Sequence, residues 1–167
     1  MNVARSDLCR SCGLCCTGAL YSHVGLEAAE AEQLSRAGGT VAYEDGRAHM
    51  EQPCRHHCSA SGCSIYERRY AACRQFRCAL LVKVEDGQIG EEAARRTIST
   101  AKQLLEAAGP LALTRTGRSA IRSAPLFENE PVDEAARRAL TLERLRLVAL
   151  DRYLDRNFRR GEASAEE

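Results

Sequence analysis

Apolar residues recur with a helical period in three parts of the chain, and each part predicts a helix. Residues 26–37 (LEAAEAEQLSRA) predict a short helix that ends at Gly38 and Gly39. Residues 91–108 predict a second helix with Glu91 and Glu92 in its first turn. Its apolar face holds Ala94, Ile98, Ala101, Leu105 and Ala108. A long helix is predicted from Val132 to Phe158, with an apolar stripe of Ala136, Leu140, Leu147, Leu150 and Leu154.

Turn residues between short apolar runs predict strands in two places. TVAYEDGRAHM predicts a hairpin that turns at Asp45 and Gly46. LLVKVEDGQIG predicts another short strand, with a turn around Asp86 and Gly87. Residues 111–131 are expected to be irregular, with Pro125 and Pro131 as breaks. The predicted fold class is therefore α+β.

Composition changes this picture in one respect, the cysteines. The chain has 167 residues, with 5% aromatic residues and no Trp, so a metal would help stabilise its core. The net charge of +1 argues against nucleic acid as a partner. The start MNVARSDLCR has no apolar run of a secretory signal, and no stretch is long enough to span a membrane. We therefore expect a cytoplasmic protein in which the nine cysteines stay reduced.

The cysteines divide the chain, because Cys78 is the last of them. We expect a small, irregular, metal-organised cysteine-rich unit over residues 1–80. A helical extension over residues 81–160 is expected to pack on it, and residues 161–167 form a solvated, disordered tail. The leucine stripe of the last helix belongs either to the core or to a surface for a protein partner.

The first cysteine cluster lies in CRSCGLCC. Cys9, Cys12 and Cys15 are each three positions apart, so on a helical turn they face one way. The same spacing begins the ferredoxin run that holds an iron–sulfur cluster, whereas zinc more often takes a single pair. Cys16 is rotated by about 100° from Cys15 in helical geometry. The two adjacent thiols are thus expected to serve different partners.

The second cluster runs from Cys54 to Cys78. It contains Cys54, Cys58, Cys63, Cys73 and Cys78. His56 and His57 lie between the first two thiols and add possible nitrogen ligands, while His23 and His49 are weaker candidates. Guanidinium groups near this cluster would offset the negative charge of thiolates around a metal. These are Arg55, Arg68, Arg69, Arg74 and Arg77.

These cysteines give the chain a family resemblance. Over about its first eighty residues it resembles the CxxCxxCC, or YkgJ-type, cysteine-cluster proteins. Their pattern is met by Cys9, Cys12, Cys15, Cys16, the remote Cys54, and the run CSIYERRYAACRQFRC from Cys63 to Cys78. The resemblance implies a zinc- or iron-chelating domain. A similar domain occurs in bacterial flagellin lysine N-methylases, which are much longer.

Two positions depart from the family pattern. Tyr70 stands where the family usually has Pro, and Cys58 is extra to the eight patterned cysteines. The expected metal ligands are therefore Cys9, Cys12, Cys15, Cys16, Cys54, Cys63, Cys73 and Cys78, with Cys58 as a ninth candidate. The two clusters are expected to meet in space, because eight thiolates permit two four-coordinate sites, or one cluster plus a second ion. Disulfides or unligated thiols are the alternatives.

Three functions stay open at this point. The first is a metal-binding protein that holds zinc or iron, mononuclear or as an iron–sulfur cluster, in one or two sites. The second is an enzyme or enzyme subunit related to flagellin lysine N-methylation. The third is a zinc-type module that binds protein or nucleic acid. The sequence shows no nucleophile with its own base, no phosphate loop and no carboxylate pair, so no catalytic residue is assigned and an enzyme is disfavoured without being excluded.

Overall fold

A computed structural model describes residues 3–109 and 133–159. Six α-helices lie in these ranges: α1 (Val3–Cys12), α2 (Ala28–Arg36), α3 (Ala71–Gln75), α4 (Ala79–Glu85), α5 (Glu91–Ala108) and α6 (Glu134–Asn157). Five short strands lie between α1 and α3: β1 (His23–Gly25), β2 (Ala42–Glu44), β3 (Arg47–Glu51), β4 (His57–Cys58) and β5 (Gly62–Cys63). A single 3₁₀ turn spans Tyr66–Arg68. The α+β class is confirmed.

The strands form two small antiparallel sheets. The first has the order β1-β3-β2, with Val24 opposite Met50 and Glu44 opposite Arg47. The predicted hairpin is confirmed, since Asp45 and Gly46 both take positive φ values, 50° and 74°. The second sheet pairs β4 with β5 and places Cys58 opposite Gly62. These sheets bring the second cysteine cluster back toward the first.

The predicted strand in LLVKVEDGQIG is wrong, because this segment forms helix α4. Its short apolar run fits either element, and periodicity alone does not separate them. Packing decides in favour of the helix, because Leu80 and Val84, one turn apart, contact the main core. The Cys78 sulfur also accepts a hydrogen bond from the Leu81 amide at 3.4 Å and so caps the helix. The turn at Asp86 and Gly87 does follow, with Gly87 at φ 70°.

The main core joins the cysteine-rich segment to the helices. Leu8, just before the first cysteine cluster, and Leu14, within it, pack in one hydrophobic core with Ile98 of α5 and Leu154 of α6. The predicted helix at 91–108 is confirmed with the same ends, and those at 26–37 and 132–158 are confirmed with ends shifted by one or two residues. Only the second half of the predicted apolar stripe of α6 is buried. Its buried residues are Leu147, Leu150 and Leu154. Ala136 is exposed and Leu140 half-buried.

Two predictions are untested by this architecture. Residues 110–132 and the tail from 160 lie outside the described residues, so the irregular segment and the solvated tail stay predictions. The boundary at residue 80 also stays a prediction. Within the described helices, none is both long and apolar enough to cross a bilayer.

Candidate metal centre

Helix α1 and the turn after it present the first cluster. Cys9 and Cys12 lie one turn apart on α1, and Gly13 ends the helix with φ 69°. The amides of Cys16 and Thr17 both donate to the Gly13 carbonyl at 2.9 Å, which closes a tight turn under the adjacent thiols. The positive φ at position 13 favours glycine there.

The second cluster packs directly on this turn. A Cβ at Gly13 would lie 2.4 Å from Nε2 of His57, so the His57 ring occupies the space above the glycine. The Cys54 amide donates to the Cys16 carbonyl at 2.7 Å. A Cβ at Gly62 would lie 2.8 Å from the Arg10 carbonyl oxygen. The two clusters therefore meet in space.

Four of the patterned cysteines surround a small apolar cavity, and we call them the inner set: Cys9, Cys12, Cys15 and Cys78. The cavity has a volume of about 40 Å³. Its other walls are apolar side chains, among them Leu20, Leu80 and Phe158. Phe158 is 1% exposed, and its carbonyl accepts a hydrogen bond from the Ala79 amide at 3.0 Å. Phe158, directly after α6, thus forms one wall of the inner cavity.

The other four patterned cysteines line a larger neighbouring cavity, and we call them the outer set: Cys16, Cys54, Cys63 and Cys73. This cavity has a volume of about 220 Å³ and polar as well as aromatic walls. Cys9 and Cys15 of the inner set also border it, so the two cavities share a wall. Tyr66 and Phe76 both line the outer cavity, and Phe76 lines the inner cavity as well.

Charge interactions between the thiols link the members of each set and join the sets at one point. After burial, the charges of Cys78 and Cys9 act to raise the pKa of Cys12, and the charges of Cys12, Cys16 and Cys78 act to raise that of Cys15. The charge of Cys16 acts on Cys54, Cys63 and Cys73. Each set is therefore a group of electrostatic neighbours.

Cys15 and Cys16 connect the two sets. A hydrogen bond from the Cys15 thiol lowers the pKa of Cys16 to about 7, against the opposing effect of burial. The same bond, followed by burial, raises the pKa of Cys15. The two thiols are thus in contact with each other while each has different neighbours beyond. The expectation that they serve different partners is compatible with this arrangement and stays a prediction.

Burial controls the other thiols. It raises the pKa of Cys12 to about 12, and it also raises the pKa of Cys73, with the Cys16 charge adding to it, to about 12. Burial likewise raises the pKa values of Cys54 and Cys63. Without a cation these thiols stay protonated at neutral pH, and a metal ion would have to displace their protons.

The ninth cysteine lies outside both sets. Cys58 is exposed on the β4–β5 hairpin, and hydrogen bonds from Ser61 lower its pKa. It lines neither cysteine cavity. The prediction that Cys58 is an extra thiol is consistent with its position.

The histidines take separate places. His56 Nε2 lies 3.1 Å from the Tyr70 hydroxyl, and His57 borders the outer cavity above Gly13. Burial lowers the pKa of both rings, and cations near them, Arg55 and Lys102 respectively, add to this. His23 and His49 stack with ring centroids 4.9 Å apart, and only His23 borders the outer cavity.

The arginines near the second cluster do not act alike. Arg69 lines the outer cavity, whereas Arg74 and Arg77 donate to backbone carbonyls and Arg68 is exposed. Sequence reasoning missed Arg10, which also lines the outer cavity. Its place directly after Cys9, on a predicted turn, was the available signal. It also missed Gln52, whose buried Oε1 borders this cavity without a hydrogen-bond partner among the described residues.

The donor atoms suit a soft or borderline metal. None of the nine cysteines is in a disulfide, so the disulfide alternative is not what the structure shows. Four thiolates are the ligand set of structural zinc sites and of iron–sulfur clusters. Within residues 3–109 and 133–159, no three Cys, His, Asp or Glu side chains are already as close as the ligands of one ion. Metal binding would therefore draw the sulfurs of a set inward.

The pattern of these cysteines identifies the family. Residues 8–100 match the CxxCxxCC family, described as a "putative zinc- or iron-chelating domain". The chain belongs to this family. The match contains all nine cysteines and extends beyond the first eighty residues, through α4 and into α5. Neither a curated protein nor a solved structure matches the chain.

Proposed function

We propose that this CxxCxxCC protein binds zinc or iron in two centres, one in the inner set and one in the outer set. The observation that carries the proposal is the division of the eight patterned cysteines into two groups of four around neighbouring cavities. Four sulfur ligands complete a tetrahedral ion or hold one iron–sulfur cluster. Cys15 and Cys16 would then ligate different centres, which answers why two cysteines stand side by side.

The chain's own residues would do three things for these centres. The inner set would hold its metal beside the Phe158 ring, among apolar side chains. The outer set would hold its metal beside Arg10 and Arg69, which offset the charge of its thiolates. Bound metal would supply the cross-links between α1, the hairpins and α4 that the small core lacks.

Metal and sulfide analysis of anaerobically purified protein, with an absorption spectrum, tests this proposal. Two zinc ions per chain with no colour, or iron with acid-labile sulfide and a brown colour, would support it and decide the metal. One mononuclear ion per chain, or none after reconstitution with either metal, would overturn the two-centre arrangement.

The other candidate functions are supported by fewer observations. A role related to flagellin lysine methylation is supported by the family resemblance. A measurement of S-adenosylmethionine binding tests this role. An interaction module would show a salt-dependent shift with RNA or DNA, or a protein partner on α6, where Leu142, Leu145 and Val148 are exposed. A cytoplasmic location is proposed as well, supported by the absence of disulfides among the nine cysteines.

A further inference from the structure

Arg69 is held in place by two contacts with one residue. Its Nε donates to the Tyr66 carbonyl at 2.7 Å, and its guanidinium carbon lies 3.7 Å from the centre of the Tyr66 ring. Tyr66 is itself buried, at 7% exposure. A guanidinium that stacks on a buried ring and donates to its carbonyl has a fixed position, unlike a surface arginine.

This fixed charge faces the outer set. Arg69 lines the outer cavity together with all four cysteines of the outer set. Arg10 lines the same cavity, but it lies farther from the Tyr66 ring, at 4.5 Å, and shares its charge with Glu67 at 3.2 Å. The Arg10 side chain is also 49% exposed, so water screens it more.

The inner cavity has a different lining. Apart from its four cysteines, only apolar side chains line it in the described part of the chain. Lys102 is a cation that acts on Cys12 of this set; its Nζ donates to the Ser11 carbonyl at 2.5 Å, and its effect on the pKa of Cys12 is smaller than that of burial. Four thiolates around a divalent ion carry a net charge of −2, and an apolar wall does nothing to offset it.

We propose that Arg69 is a positioning residue that offsets the charge of the outer metal centre, so that the outer set binds a divalent ion more tightly than the inner set does. The inference rests on the proposed function, because it presupposes two centres. Groups just outside the ligands commonly alter metal affinity by about 10- to 100-fold. We expect an effect of about tenfold for Arg69.

The test uses Co²⁺ titration of the full chain, followed through its thiolate-to-metal absorption bands. Cys12→Ser leaves the outer set intact and Cys73→Ser leaves the inner set intact, so each affinity is measured alone. Arg69→Gln should weaken Co²⁺ binding about tenfold in the Cys12→Ser protein and less than about twofold in the Cys73→Ser protein. Arg68→Gln, which removes the same charge from an exposed neighbour, should change neither.

Arg69→Lys separates charge from structure. Lysine keeps the charge and loses the planar stack, so it should restore most of the affinity lost in Arg69→Gln. Equal weakening of both sets by Arg69→Gln, or no recovery with lysine, would overturn the inference and leave Arg69 a structural residue. If the unsubstituted chain binds fewer than two Co²⁺ ions, the proposed function fails. Two bound ions with no Arg69 effect refute only the inference.

Discussion

The two sets of cysteines have the same donor atoms and opposite surroundings. The inner set lies under the end of α6, in a cavity of about 40 Å³ with apolar walls. The outer set lies between the hairpins and the 3₁₀ turn, in a cavity of about 220 Å³ with arginine, histidine and aromatic walls. We expect identical donor atoms with unlike walls to differ in how the charge of their thiolates is offset. The lesson is that the sequence motif defines the donors, while the fold around them defines two different sites.

Removing both metals should have the largest effect. The cysteines of each set come from segments distant in sequence, so we expect metal binding and folding to be coupled. We expect chelation to lower the melting temperature by about 10 °C or more, because a structural metal contributes several kcal/mol. Calorimetry before and after verified metal loss measures this. An unchanged melt would mean that neither set stabilises the fold.

Substituting one cysteine of either set tests whether the two sets bind metal independently. Cys12→Ser and Cys73→Ser should each lose about half of the bound metal, because a serine hydroxyl is a poor ligand for these metals. Cys9→Ser and Cys15→Ser should resemble Cys12→Ser. Elemental analysis measures the metal content, and Cys58→Ser is the control that should keep all of it. Complete metal loss from any single variant would show that the sets form one centre.

Opening the lid of the inner set should affect that set alone. Phe158→Ala removes a ring that is 1% exposed, at a cost of about 3–5 kcal/mol. We expect metal release to a chelator to become faster from the inner set and unchanged from the outer set. Stopped-flow release from the site-isolated variants measures both rates. Leu145→Ala, on the exposed face of α6, is the control. Equal acceleration at both sets would contradict a lid over one of them.

A side chain at position 13 should moderately destabilise the turn that carries cysteines of both sets. Gly13→Ala combines a positive φ with a Cβ that would lie 2.4 Å from the His57 ring. The expected cost is about 1–3 kcal/mol, measured by urea unfolding. Gly38→Ala is a matched control, since Gly38 has φ 70° and open space around its Cβ position. If Gly13→Ala and Gly38→Ala lose similar amounts of stability, backbone strain alone would explain the effect.

The last prediction, with the smallest expected effect on the protein, concerns the reactivity of the Cys58 thiol. Because Ser61 lowers its pKa and the side chain is exposed, Cys58 should be the first thiol of the metal-loaded protein to react with a thiol reagent. Its rate should rise with pH until the thiol is fully ionised, at a pH below that of an ordinary cysteine. Mass spectrometry of the labelled peptide identifies the site. Labelling of Cys16 before Cys58 would show that the outer set holds no metal.

Much of this arrangement was predictable from local sequence, and the rest depends on tertiary contacts. Cysteine spacing predicted that the clusters would meet, and turn residues predicted the β2–β3 hairpin. Spacing could not assign Cys78 to the same set as Cys9 and Cys12, because α4 and the core decide where its thiol points. The strand expected in α4 was wrong because a short apolar run fits both elements. The contact of Phe158 with a cavity built by residues 8–20 depends on packing that no local pattern reveals.

The position of Phe158 in the chain has a consequence for biosynthesis. Cys78, the last cysteine of the chain, leaves the ribosome eighty residues before Phe158. At about 5–20 residues per second, that interval lasts roughly 4–16 s. During it the nascent inner set has its four thiols but not the α6 residue that later covers them. Metal delivered in that interval would be enclosed when α6 docks, whereas metal supplied to the finished chain would enter the inner set only after Phe158 moves away. We therefore expect the inner centre to be acquired during translation, and the outer centre to exchange throughout the life of the protein.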